Sequence, residues 1–445
     1  MNWIKYQIDQ SSAGDGSLLV EKRLEKNDAN ITIAEAEAYN GYTIVGDSSE
    51  VDRTEGLLYQ NKDNSTKALD KRFKYTMSFN TYVEGGQISY SDDCKGFEPM
   101  SIDSSGKLSY GGWTKSPLLD MFNPCVLKPG RTVPEYYLKK NNLSKKLDGT
   151  SVTLSSADGD VMVEVDGLLY GKITHGSGYA SSIVTMTIAN YKFPGCFCFN
   201  DFGGVIKDKF YVGRYMGVID SNVLRSKSGV APTTSKTINA LRTAAKARGK
   251  GYSLNSFYVL LLWQMMFMFL FKSQNAQAVL GKGKSSSGLK NTGGTDAKGW
   301  IYGLTGDNTA QVTFLGLEDW YGNAKEFIDG CYHAYYIFKL TRDPNLFGLE
   351  PTDYELIADY KSLSGGILKD VIGTNDFGFL PLTVDAKGTA DSWFGDKALF
   401  AGDMNVCAYG GAHSLVDNEV GPFSWDFTNG SGTSDPKIGA RLCKF

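Results

Sequence analysis

Histidine and cysteine are the side chains best suited to chemistry near neutral pH, and this chain has few of either: three histidines and seven cysteines in 445 residues. His175 stands in a Gly/Ser turn and His333 in an apolar run, where a place in the core is expected of it. His413 is the one with acids nearby, Asp417 and Glu419. That trio reads either as a general-base pair or as a solvated loop cluster. The cysteines are Cys94, Cys125, Cys196, Cys198, Cys331, Cys407 and Cys443. Their number is odd and no CxxC zinc spacing occurs. Cys196 and Cys198 are one residue apart, poor geometry for a mutual disulfide. Reduced, mostly buried thiols are expected. GKGKSSSG at 281–288 looks like a phosphate loop but misplaces its lysines relative to GxxxxGK[ST]. A flexible or decorated loop is expected there, and no cofactor.

The elements that would have to position these residues are organised around 253–283. It opens with the most apolar run of the chain, Phe257–Phe271, broken by one polar residue, Gln264. A helix apolar all round is a membrane span or the centre of a large core. The run has 15 residues, and a span needs about 20, so a buried helix is expected and no membrane span. Segment 236–247 is an amphipathic helix with Ile238, Leu241, Ala244 and Ala245 on one face. Residues 24–39 read as an Ala-rich helix capped by Asp28 or Asn30 and too weakly apolar to fold alone. It either docks on the rest of the chain or anchors it to a larger assembly. Segments 75–83 and 87–90 read as strands of a small sheet. From Cys125 onward strand candidates follow each other at short turns, which predicts a meander. Residues 331–340 and 438–445 are further strands. Long aromatic loops are expected between them.

Composition is that of a globular protein, with 21% charged and 42% hydrophobic residues. The net charge of −3, without a block of like charges, gives no case for nucleic-acid binding. The N-terminus has no basic stretch followed by an apolar core, so no secretory signal is expected.

Several pieces occur in a fixed order: ADGDVMVEV (157–165), YVGRYMG (211–217), LRSKSGVAPTT (224–234), KSQNAQAVLGKG (272–283), LEDWYGNAKEFIDG (317–330), YGGAHS (409–414), GPFSWDF (421–427) and IGARLCKF (438–445). In order and spacing the region from Asp158 to the end resembles the C-type-lectin-like domains of phage structural proteins, including the variable proteins of diversity-generating retroelements, distant relatives of the formylglycine-generating enzymes. CVLKPGRTVPEYYL (125–138) resembles the β segment upstream in such phage proteins. The first 120 residues are outside the resemblance.

The resemblance implies a virion protein, and it also raises an oxidase reading from which this chain departs. The related oxidases place reactive cysteines between an RGGS-like motif and the last strand. Here the interval 412–437 has none, and the motif reads YGGAH. Cys407 precedes it and Cys443 follows it. In those relatives the residues matching Asn323 and Glu326 help to hold calcium; here they are either a calcium pair or hydrogen-bonding partners in a turn, since calcium needs 6–8 oxygens. What remains is binding by aromatic residues on C-terminal loops: Trp393, Phe394, Tyr409, His413, Phe423 and Trp425, about half of which are expected to be buried.

The expectation is an α+β chain. Residues 1–50 form a helix-containing attachment segment, 51–204 a β-rich middle region, and 205–445 a C-type-lectin-like domain with two helices and long loops. As a fibre-like or decoration component on head or tail it would bind other virion proteins through its N-terminal segment. It would offer the lectin-like domain to a host-surface glycan or protein. The alternative is a purely structural component packed against other virion proteins, with a glycan-active enzyme ranked last. A homotrimer fits a fibre, although no coiled-coil heptads are present.

Overall fold

The computed structural model describes residues 72–445, apart from 82–86, 157–158, 177–182, 287, 335–336, 349–353, 360–364, 375–376, 390–391, 402–404 and 410–419, together with the short strands Leu58–Gln60 and Thr66–Ala68. The expected helix at 24–39, the attachment segment 1–50, and His413 with its acids lie outside the described residues. Two compact units are present: 1–74 with 189–191, and 75–188 with 192–445. In the first, the two short strands pair antiparallel, and the Phe73 N–H donates to Asn190 Oδ1 at 3.0 Å.

The second unit corrects the fold class. Strands make up 39% of the structure and helix 12%, so the chain is β-rich rather than α+β. One sheet has seven strands in the order Tyr252–Leu254, Arg441–Lys444, Lys209–Met216, Asp160–Asp166, Phe122–Leu127, Tyr136–Lys139 and Asn142–Lys146. All its neighbours run antiparallel. It draws strands from both sides of residue 204. The expected meander is broken here: Asp160–Asp166 belongs to this sheet, while the next strands, Tyr170–His175 and Ile183–Ala189, join a five-stranded sheet with Lys74–Asn80. A third sheet has nine strands and two parallel pairings, Lys325–Ala334 with Ile438–Gly439 and Lys397–Phe400 with Trp425–Asn429.

Much of the expected aromatic loop region is strand in this third sheet. Gly366–Thr374 and Phe377–Asp385 pair antiparallel, with register shifts at three places. Each irregularity offsets the two-residue period, so apolar and polar residues stop alternating and the sequence loses its strand signature.

The three α-helices among the described residues are α1 (Ile238–Lys246), α2 (Phe257–Phe271) and α3 (Ala276–Val279). In α1 the Thr237 hydroxyl caps Ala240 N–H, and Ile238, Leu241, Ala244 and Ala245 are buried as their spacing predicts. All fifteen residues of α2 are buried. It is covered on several sides: Trp263 meets Phe122 edge-on at 5.4 Å, Phe269 lies against Trp113, Phe267 against Phe314 and Phe423, and Phe257 against Trp425. Among the described residues no helix is long and apolar enough to cross a membrane. Lys272 ends α2 in the left-handed conformation at φ 51, its N–H bonded to Met268 O and its ammonium 4.9 Å over the Tyr90 ring.

The one polar residue of α2 has a structural task. Gln264 Nε2 donates to Pro422 O at 2.7 Å, and Gln277 Nε2 on α3 donates to Val420 O at 2.6 Å. The two helices thereby hold the segment that carries Phe423 and Trp425.

Candidate functional site

The motif residues converge on buried charge. Arg441, on the last strand, gives its Nε to Glu326 Oε1 at 2.6 Å and its remaining nitrogens to the carbonyls of Gly213, Arg214, Glu318 and Asp319. Arg214 donates to Gly316 O, Thr295 Oγ1 and Asp296 Oδ1. Glu318 accepts from the N–H groups of Gly293 and Thr295. Asp160 accepts from Arg225, Arg248 and the Ser226 N–H. Buried polar groups must be hydrogen-bonded, and these are bonded mostly to main-chain groups, with ion pairs to Glu326, Asp296 and Asp160 completing the set. The long Gly/Ser stretch 282–305 delivers Thr295 and Asp296 to Arg214.

Asn323 and Glu326 are both buried. Asn323 Oδ1 accepts from Lys290 N–H, and its amide donates to Lys290 O and Asp319 Oδ2. Glu326 is occupied by Arg441 and by Asn255 Nδ2. Their oxygens are engaged, which favours the turn-and-scaffold role over the calcium one. Among the described residues no group of three or more His, Cys, Asp or Glu is placed to hold a metal ion.

The expected aromatic surface divides. Phe394, Phe423 and Trp425 are fully buried, and Trp425 Nε1 donates to Phe379 O at 3.0 Å. These three are core and cannot touch a ligand in this conformation: α2 and Phe379 cover Phe423 and Trp425, and Phe79 and Phe423 pack on Phe394. Trp393 is half-buried, with the Lys369 ammonium 4.9 Å from its ring centre. The side chain of Tyr409 lies outside the described residues, as does His413.

The remaining histidines occupy opposite settings. His333 is buried among Phe338, Phe400 and Phe427, and burial pushes its pKa down to about 4. His175 Nε2 lies 3.3 Å from Asp370 Oδ1, and that hydrogen bond raises its pKa. Cys196 and Cys198 are half-buried beside a hollow of about 450 Å³ that Lys192 and Arg342 also line. Burial raises the Cys198 thiol, the reverse of what an activated thiolate requires.

A larger cleft, of about 870 Å³, opens where the end of α1 meets the last strand. Lys207, Lys246, Lys250 and Lys444 line it together with Phe202, Tyr252 and Phe445, and no Asp or Glu is among its lining residues. Arg248, bonded to Asp160, pins the turn after α1. Gly251, at φ +82, must be glycine: a Cβ there would come within 2.7 Å of Phe445 O. Phe202 stacks on Phe445 at 4.3 Å. The Lys444 ammonium lies 5.2 Å from the Tyr252 ring centre, and burial lowers its pKa. No signal in the sequence pointed to this cleft, because its lining comes from five separate segments.

No family model matches the chain, and no curated protein matches it.

Proposed function

We propose that the chain is a structural protein of a bacteriophage particle, a fibre-like or decoration component of head or tail. On this reading it carries a rigid β-rich body that presents a binding surface to a host-surface glycan or protein. The observation that carries it is the convergence on Arg441. Residues of YVGRYMG, LEDWYGNAKEF and IGARLCKF, spread over more than 200 residues of sequence, meet in one buried network. The motif residues spend their charges on architecture, as a presenting scaffold requires. Preorganised scaffolds bind with little ordering cost at the surface they display.

On this proposal the N-terminal segment attaches the chain to other virion proteins, and a homotrimer is the assembly in a fibre. Deleting residues 1–50 should give particles that lack the protein, while the truncated chain stays soluble and folded. Normal incorporation of the truncated chain would sink the anchoring role. Failure of intact particles and purified protein to bind host cells, with assembly unchanged, would leave a purely structural component.

A further inference from the structure

The cleft between the end of α1 and the last strand has the chemistry of a binding site. Four lysines line it without an acidic side chain among them, in a protein whose net charge is −3, so the concentration of positive charge is local. Lys207, Lys246 and Lys250 are exposed and make no ion pair with any described residue. Surface lysines ordinarily stand among acids of the opposite sign; these three line one concavity outside any ion pair among the described residues. The cleft's volume falls within the roughly 300–1,000 Å³ of small-ligand sites.

A second feature says what kind of anion fits. The stacked Phe202–Phe445 pair and the Tyr252 ring add flat apolar surface beside the ammonium groups.

We propose that this cleft binds an acidic oligosaccharide, its carboxylate or sulfate groups taken by Lys207, Lys246, Lys250 and Lys444 and its ring faces by the aromatic side chains. A bare inorganic anion would leave the aromatic surface unused. A nucleic-acid strand needs a basic track along its backbone, and here the lysines cluster at one hollow. This inference rests on the cleft alone and not on a place in a virion. Failure of the particle experiments above therefore leaves it standing.

The experiment is calorimetric titration of the full chain with a heparin-derived tetrasaccharide and a sialic acid trimer. Maltotetraose, sodium sulfate and single-stranded oligothymidylate serve as comparisons. The acidic sugars should bind, more weakly as salt rises from about 50 to about 300 mM because screening shortens the reach of the lysines. Maltotetraose should not bind. The double variant Lys246→Glu, Lys250→Glu should weaken binding about tenfold or more at an unchanged melting temperature, since both side chains are exposed. Equal binding of maltotetraose, tight binding of sulfate alone, tighter binding of oligothymidylate, or indifference to the charge reversal would each overturn the proposal.

Discussion

Arg441 Nε donates to Glu326 Oε1 at 2.6 Å, and both side chains are almost wholly out of solvent. Removing one partner of such a pair strands the other as an uncompensated charge. Arg441→Met should therefore destabilise the protein by about 3–5 kcal/mol, seen as a lower urea midpoint. Arg441→Met combined with Glu326→Gln should cost less than the sum of the two single changes. Strict additivity would mean that the pair is not coupled.

Helix α2 makes a sharper demand. Leu261 is fully buried in the middle of it, and an isolated carboxylate there costs several kcal/mol. Leu261→Asp should abolish cooperative folding of the second unit, read as loss of the near-ultraviolet circular dichroism of its buried tryptophans. A soluble variant with a native spectrum would show that the helix is not central to the core.

Gln264 ties α2 to the segment before Phe423 through Pro422 O. Gln264→Leu keeps the apolar character of the helix but orphans that carbonyl, so a loss of about 1–3 kcal/mol is expected. Hydrogen exchange should show faster exchange in 420–429 and little change in α1. Uniform acceleration across both regions would argue against a local tether.

Asp319 gives the stability a pH dependence. Burial and the neighbouring Glu318 push its pKa up to about 8, against about 3.9 in the unfolded chain. The folded protein thus holds this proton more tightly. Its contribution is greatest below about pH 4 and declines as pH rises toward about 8. Asp319→Asn, which keeps the amide-bonded shape and tolerates φ +49, should flatten that decline in denaturation curves taken from pH 5 to pH 9. An unchanged slope would mean that the carboxyl is ionised throughout.

His333 acts at the acid side with the opposite sense. Its folded pKa of about 4 lies below the unfolded value, about 6.5, so the unfolded chain takes up the proton first. Stability is intact above about pH 6.5 and falls as pH drops toward about 4, by up to about 1.4 kcal/mol per unit. His333→Phe, set among three phenylalanines, should reduce that acid loss. A variant as acid-sensitive as the parent would place the sensitivity elsewhere.

By itself the sequence determined what depends on local periodicity and on residue chemistry. The spacing of Ile238, Leu241, Ala244 and Ala245 specifies α1, and the apolar run Phe257–Phe271 specifies a helix that must be covered on every side. It also marked His333 as a core residue and the cysteines as free thiols, which six of the seven are among the described residues. Only the tertiary structure decided the rest. Strands interrupted by bulges, such as Gly366–Thr374, carry no two-residue period, so part of the C-terminal region read as long loops. Phe423 and Trp425 carry the same apolar chemistry exposed or buried; the tether from Gln264 and the packing of α2 turned them inward. The network around Arg441 and the lysine cleft join residues hundreds of positions apart. Sequence spacing encodes contacts only within one element, and side chains brought together by sheet pairing leave no period to read.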